Sequence, residues 1–140
     1  MKLRLNANAI VTNNNGEFLF VELKSGPFKG GLCIPGGGVE PGELSFDTIK
    51  REVFEETGIE IDEFSPFGFC ELIHKGFDSH RVVMLMEGTG GGEPRETEEG
   101  VGKWLSFEEA ESHLIPFAKE AIKIWRDGKG HFKLIEECEE

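Results

Sequence analysis

Cysteine is scarce in this sequence of 140 residues, and long apolar runs are absent. The three cysteines, Cys33, Cys70 and Cys138, are odd in number and far apart, and none belongs to a CxxC pair. They therefore exclude a disulfide framework and indicate free thiols in a reducing compartment, the cytoplasm. No segment approaches the roughly 20 apolar residues of a membrane span. Residues 1–10 alternate between apolar and polar side chains, which is not the pattern of a signal peptide.

Basic residues are also few. Lys and Arg together number 15 against 27 acidic residues, 23 of them glutamate, and the net charge is −12. Such a chain is poorly suited to nucleic acid, because Lys and Arg must neutralise the phosphates, and to anionic membrane surfaces for the same reason. A small phosphorylated ligand is compatible with this charge if a cation mediates the contact.

The length fits a single domain over residues 1–140. Apolar residues alternate at the start of the chain and predict a strand, with Leu3, Leu5, Ala7, Ala9 and Val11 on one face. The Asn13–Gly16 turn signal, followed by a second strand pattern at 17–23, predicts a hairpin. Further short strands are predicted at residues 32–34, 67–74, 80–87 and 101–105, with a last one after residue 130.

A helix is predicted over Ser45–Thr57, where Gly and Pro are absent and Gly58 supplies a stop. Its apolar residues Phe46, Ile49 and Val53 fall on one side and are expected to be buried.

Two more helices are predicted, one from a capping box at Ser106–Glu109 and one over Pro116–Arg126. Pro35 and the glycines at 36–38 predict a break, and residues 89–100 an acidic loop. The predicted strands outnumber the helices, and the helices lie between strands in the sequence. We therefore expect the α/β (α+β) class, with a mixed β-sheet between helices.

The helix at residues 45–57 concentrates acidic residues on one face. Glu52, Glu55 and Glu56 lie within about 100° of one another on the helical wheel. These like charges repel, and their place in the last turn is unfavourable for anions. A divalent cation would remove both penalties, and oxygen ligands favour Mg²⁺, with Mn²⁺ able to substitute. Arg51, four residues before Glu55, is within reach to orient that carboxylate.

An acidic helix face taken alone is usually a solvated surface, but the spacing around this one is specific. From Gly37 the sequence reads Gly, five residues, Glu43, seven residues, and then the run from Arg51 to Ile59 in the order REVFEETGI. This pattern resembles the Nudix box, without a gap or substitution. The chain therefore resembles a MutT-like Nudix hydrolase, and the resemblance implies an α/β/α sandwich with a mixed sheet.

The resemblance also implies the residues of an active site. The metal ligands it implies are Glu52, Glu55, Glu56 and the backbone carbonyl of Gly36. It implies that Arg51 and Glu43 form a supporting pair, and that the glycines Gly37, Gly38, Gly42 and Gly58 shape the loop and helix.

Two further assignments concern the base and an extra ligand. Glu52 and then Glu55 are the candidates for the general base. The acidic loop holds Glu93, Glu96, Glu98 and Glu99, and the last two lie where some family members keep an extra glutamate.

The implied activity is Mg²⁺-dependent hydrolysis of a nucleoside diphosphate linked to another moiety. One branch cleaves a nucleoside triphosphate or oxidised nucleotide to the monophosphate and pyrophosphate. Another takes ADP-ribose or a nucleotide sugar, and a reading from a different class is a nucleotide-binding or sensing module without turnover. The partner is a small-molecule nucleotide, and both a monomer and a homodimer are compatible with the sequence.

The sequence assigns no substrate-binding residue. Phe28 or Phe77 is a candidate for stacking on a base, whereas Lys24, Lys29 and Arg81 are expected to be solvated. The four histidines, His74, His80, His113 and His131, show no ligand spacing and are expected at the surface or in the hairpin.

Overall fold

A computed structural model of the chain describes residues 1–128 and 130–136. In this part of the chain eight strands form one mixed sheet, and three α-helices accompany it. The strands are β1 (Lys2–Thr12), β2 (Phe18–Leu23), β3 (Leu32–Cys33), β4 (Gly36–Gly38), β5 (Ser65–His74), β6 (Ser79–Thr89), β7 (Gly100–Leu105) and β8 (Gly130–Glu136). The helices are α1 (Ser45–Thr57), α2 (Phe107–Ala110) and α3 (Pro116–Arg126).

Strand β1 lies at the centre of the sheet, whose order is β3-β2-β1-β6-β5-β8. It runs antiparallel to β2 and β4 and parallel to β6, and β7 pairs with β2. The predicted hairpin of β1 and β2 is confirmed as an antiparallel pair, and β5 and β6 form a second antiparallel pair. Because β1 and β6 are parallel, the chain must cross over between them, and α1 lies in that connection.

Two apolar clusters pack on opposite faces of the sheet, as alternation along β1 requires. Ile49 and Val53 of α1 pack with Ala9 and neighbouring residues of β1. On the other face, the residues of α3 pack against Ile10 and the inward side chains of β2, β5 and β6. The sheet therefore lies between helices, and the predicted fold class is confirmed.

Helix α1 has the bounds that the sequence predicts, and Gly58 ends it in the left-handed conformation at φ 78°. The expectation that Phe46 is buried is wrong, because its side chain is 42% exposed. Leu44, just before the helix, is also exposed, so the first turn of α1 projects beyond the apolar cluster. Ile49 and Val53 are fully buried, as predicted.

The predicted break at residues 36–38 is instead a strand. Gly36, Gly37 and Gly38 pair with Asn8, Ala7 and Asn6 of β1. A run of glycines has low strand propensity, and only this long-range pairing makes it one. The result is a side-chain-free strand between β1 and α1.

Cys33 and Cys70 are unpaired thiols, and the predicted free Cys138 lies outside the described residues. Within the described residues, no helix combines the length and the apolar character needed to cross a bilayer.

Candidate active site

The site forms where β4 meets the C-terminal half of α1. The backbone N–H of Gly36 donates a hydrogen bond of 2.7 Å to Oε1 of Glu56. A Cβ atom at Gly36 would lie 2.2 Å from the carbonyl oxygen of Ala7, so only glycine lets β4 approach β1 this closely. The neighbouring Gly37 leaves room for Glu52, whose carboxylate atoms lie 2.5–2.7 Å from where a Cβ would stand.

Three carboxylates converge there and form what we call the carboxylate cluster: Glu52, Glu56 and Glu99. One oxygen of each lies within 4.8 Å of the other two. Glu99 comes from the acidic loop before β7. Thr97 fastens this loop to α1, because its hydroxyl donates to the Glu56 carbonyl at 3.3 Å and accepts from the Glu99 N–H at 3.2 Å.

Other predicted ligands are not part of this cluster. Glu55 is exposed and lies 3.3 Å from Nη1 of Arg51. Glu98 is exposed, as Glu99 is, but its carboxylate is not one of the three that converge. Gly36 contacts Glu56 through its N–H, and Glu96 pairs with Lys24 at 2.7 Å. The structure thus brings together two glutamates of the helix and one of the loop pair.

Arg51 connects the loop, the helix and the cluster. Its Nε and Nη2 donate to the two oxygens of Glu43, each at 3.0 Å, and its Nη1 donates to Glu52 at 2.8 Å. These bonds, with one from the Thr48 hydroxyl at 2.7 Å, lower the pKa of Glu43 to about 2. Glu43 therefore stays ionised and holds the guanidinium that orients Glu52.

Burial shapes the electrostatics of the cluster. Together with the nearby charges of Glu52 and Glu99, it raises the pKa of Glu56 to about 8, against the lowering effect of the Gly36 N–H. Burial also raises the pKa of Glu52, with Arg51 acting in the opposite direction. Three acidic groups this close, two of them partly buried, are unfavourable as anions without a counter-charge. Their oxygen-only donor set fits a hard divalent cation such as Mg²⁺.

A cavity of about 680 Å³ opens beside the carboxylate cluster. Arg4, Asn6 and Asn8, alternate residues of β1, line it together with Arg81 of β6. Asn6 and Asn8 are only 9% and 8% exposed, so polar side chains here lie under the cavity and not in bulk water. These three β1 residues were not identified from the sequence. The polar residues of an alternating strand show the same pattern whether they face solvent or a ligand.

The other end of the cavity is aromatic. Phe28 and Phe77, the two candidates for base stacking, both line it. His74 lies between them and is only 8% exposed, so the expectation of a surface histidine is wrong for this residue. Arg81 and Lys29 are both exposed, as expected, but only Arg81 also lines the cavity.

We expect Gly37→Ala to lower activity by about ten- to a hundred-fold, since a displacement of about 1 Å can have that effect. The new methyl group would meet the flexible carboxylate of Glu52 and displace it without unfolding the chain. Gly38→Ala is the matched control, because its nearest neighbour, Oδ1 of Asn6, is 4.0 Å away. Turnover and melting temperature of both variants test this, and equal activities would contradict it.

The sequence matches the family of the NUDIX domain over residues 2–127. The nucleoside triphosphatase NudI of Enterobacter sp. (strain 638) is 38% identical over 83 residues, which is 56% of this chain and 54% of that protein. A putative 8-oxo-dGTP diphosphatase of Bacillus subtilis is 28% identical over 123 residues, or 87% and 79% of the two chains. An ADP-ribose pyrophosphatase of Methanocaldococcus jannaschii is 39% identical over 49 residues, or 35% and 29%. The chain spans between 29% and 54% of the length of the first curated relatives that it matches.

Solved structures share the fold. A MutT NUDIX hydrolase from Burkholderia pseudomallei aligns with a TM-score of 0.78 at 23% identity, covering 88% of this chain and 98% of that one. The NUDIX domain of Shewanella oneidensis NrtR, solved with ADP ribose, aligns with a TM-score of 0.78 at 16% identity and covers 91% and 88%. The arrangement of β4, α1 and the sheet is therefore a common one, and with the match over residues 2–127 it follows that this chain belongs to the Nudix family.

Proposed function

We propose that this chain is a divalent-metal-dependent pyrophosphohydrolase acting on a nucleoside diphosphate linked to another moiety. The leading substrate is a nucleoside triphosphate or an oxidised nucleotide, cleaved to the monophosphate and pyrophosphate. The observation that carries this proposal is the carboxylate cluster at the edge of a cavity of about 680 Å³ with an aromatic far end. The names of the relatives from Enterobacter and Bacillus support the same substrate class.

The carboxylate cluster would hold Mg²⁺, or Mn²⁺ in its place. When bound, the ion supplies positive charge beside the diphosphate and acidifies the attacking water. Glu55 and the carbonyl of Gly36 are the further ligands that the family pattern adds.

The chain's own residues then position the substrate and move the proton. Arg51 donates to Oε1 of Glu52 and fixes that carboxylate, whose Oε2 receives no hydrogen bond from the described residues. Glu52 is therefore our first candidate to take the proton of the water that attacks phosphorus, and Glu55 is the second. As the water oxygen bonds to one phosphorus, the P–O bond of the P–O–P bridge breaks, and the monophosphate and pyrophosphate separate.

ADP-ribose is the second candidate substrate. The relative from Methanocaldococcus is named an ADP-ribose pyrophosphatase, and the Shewanella domain was solved with this molecule. The cavity volume of about 680 Å³ lies within the range of small-molecule sites and does not favour one of the two candidates over the other.

A substrate panel with Mg²⁺ tests the proposal. It contains nucleoside triphosphates, their oxidised forms, ADP-ribose and nucleotide sugars, and both phosphate-bearing products are followed. We expect hydrolysis of at least one class, abolished by EDTA. Binding without turnover of any of them would contradict the proposed hydrolysis and favour a sensing module. We further propose that the chain acts in the cytoplasm as a single catalytic domain over residues 1–140.

A further inference from the structure

The aromatic end of the cavity, formed by Phe28, His74 and Phe77, has an unusual polar centre. The His74 ring is 4.4 Å from that of Phe77 and 6.1 Å from that of Phe28, measured between centroids. Both of its nitrogens are buried and lack a hydrogen-bond partner among the described residues. A buried polar group without a partner is destabilising, so its presence in a cavity wall indicates a missing ligand.

A second polar group lies beside it. Glu136 of β8 is the strand neighbour of His74, and its Oε2 is 3.6 Å from Nε2 of the imidazole. The side chains of both residues are 10% exposed, and both line the cavity. Burial raises the pKa of Glu136, against the opposing influence of His74, so N–H donors from a ligand would stabilise its ionised form. The cavity thus ends in a carboxylate and an imidazole side by side.

The strand register relates this end of the cavity to the carboxylate cluster. Gly36 at the cluster pairs with Asn8, whereas Ser79, opposite His74, pairs with Lys2. Six residues of strand cover about 20 Å, and the side chains at both ends line the cavity between them. A nucleotide with its pyrophosphate at the cluster therefore extends along β1 with its base towards the aromatic rings.

The donors and acceptors select among the bases. A carboxylate accepts two hydrogen bonds side by side, and an imidazole N–H donates one. Guanine presents this complement on one edge, with two adjacent N–H donors next to the O6 acceptor. Adenine and cytosine offer one amino group there, and uracil a single N–H.

Resting on the proposed function, we propose that Glu136 and His74 are specificity-determining residues that bind the edge of a guanine-type base, with Phe28 and Phe77 providing the stacking surface. Glu136 accepts from the N1–H and the 2-amino group, and His74 donates to O6. The catalytic carboxylates take no part in this discrimination.

Calorimetric binding of GMP, IMP, AMP and UMP to the full chain, with Mg²⁺ present, tests this inference independently of turnover. We expect GMP to bind at least about ten-fold more tightly than UMP, because a site that hydrogen-bonds a ligand N–H rejects analogues lacking it. IMP, which lacks the 2-amino group, should fall between them. In Glu136→Gln the preference for GMP should collapse to within about two-fold.

Two control variants distinguish recognition of the base from a general effect on nucleotide binding. Glu71→Gln changes an exposed carboxylate on β5 and should keep the wild-type preference. Phe28→Ala should weaken binding of all four nucleotides by about ten-fold without changing their order, since stacking tolerates any base. This second variant keeps the inference testable if Glu136→Gln does not fold.

Equal affinities for the four nucleotides in the wild type would overturn the inference, as would an unchanged GMP preference in Glu136→Gln. A change in their order in Phe28→Ala would also count against it. Hydrolysis of the substrate panel without any base preference would leave the proposed function standing and remove this inference. A GMP preference in a chain that hydrolyses nothing would support the base site and contradict the proposed turnover.

Discussion

Glu52→Gln is expected to reduce Mg²⁺-dependent turnover by about two to four orders of magnitude, the usual contribution of a general base. Glutamine keeps the shape of the side chain and can still accept the Arg51 hydrogen bond of 2.8 Å through its oxygen. It cannot take a proton, and it removes one charge from the carboxylate cluster. The measurement is kcat on whichever substrate of the panel the wild type hydrolyses, with melting temperature as the test of folding.

Glu55→Gln is the matched comparison, because it lies on the same helix, contacts the same arginine and is exposed outside the cluster. We expect a smaller loss in this variant. Full activity of Glu52→Gln would contradict the assignment of the base. A loss in Glu55→Gln as large as that in Glu52→Gln would transfer the role to Glu55.

The metal-free protein is expected to lose stability as the pH rises towards 8, and Mg²⁺ is expected to restore it. Glu56 has a pKa of about 8 in the folded chain, against an ordinary value of 4.5 for a glutamate carboxyl in water. Between these values the unfolded chain has released the proton that the folded chain retains, so the free energy of unfolding falls with rising pH and levels off above about 8. A cation binds the ionised form and opposes this loss.

Glu56→Gln isolates the effect, because the glutamine oxygen can still accept from the Gly36 N–H and the side chain does not titrate. In EDTA at pH 8 this variant should melt several degrees above the wild type, and at pH 5 the two should converge. Turnover of this variant should be lost, and so should the stabilisation by Mg²⁺. The opposite result would be a wild type that, in EDTA, gains stability relative to the variant between pH 5 and pH 8. That result would contradict the sign of this prediction.

The sequence predicts the local features of the site well. Helix α1 has its predicted bounds because Gly58 can adopt a φ of 78° and end it. Helical periodicity alone places Glu52 and Glu56 on one face of α1. Arg51 contacts Glu55 as their spacing suggests, and it contacts Glu43 as the family resemblance implies.

Features that depend on distant segments could not be predicted. The alternation in β1 gives no sign that Leu3 is 66% exposed while Asn6 is buried. The difference depends on distant segments, because β6 runs beside the whole of β1 whereas β4 pairs only with residues 6–8. His74 contacts Phe77 of the turn that follows β5, and its burial also depends on Phe28 from the distant connection between β2 and β3. The choice between Glu98 and Glu99 likewise depends on how Thr97 fastens the loop to α1.

The parallel pairing of β1 with β6 has a consequence for how the chain folds. Lys2 pairs with Ser79 and Thr12 with Thr89, so the central strand stays without one neighbour until most of the chain has been synthesised. Pairings this distant in sequence slow folding, because a long loop must close before the contacts form. Until then the apolar residues of β1 are exposed on an incomplete sheet, and aggregation competes with folding. The strand that lines the cavity is therefore also the one on which the folding rate depends.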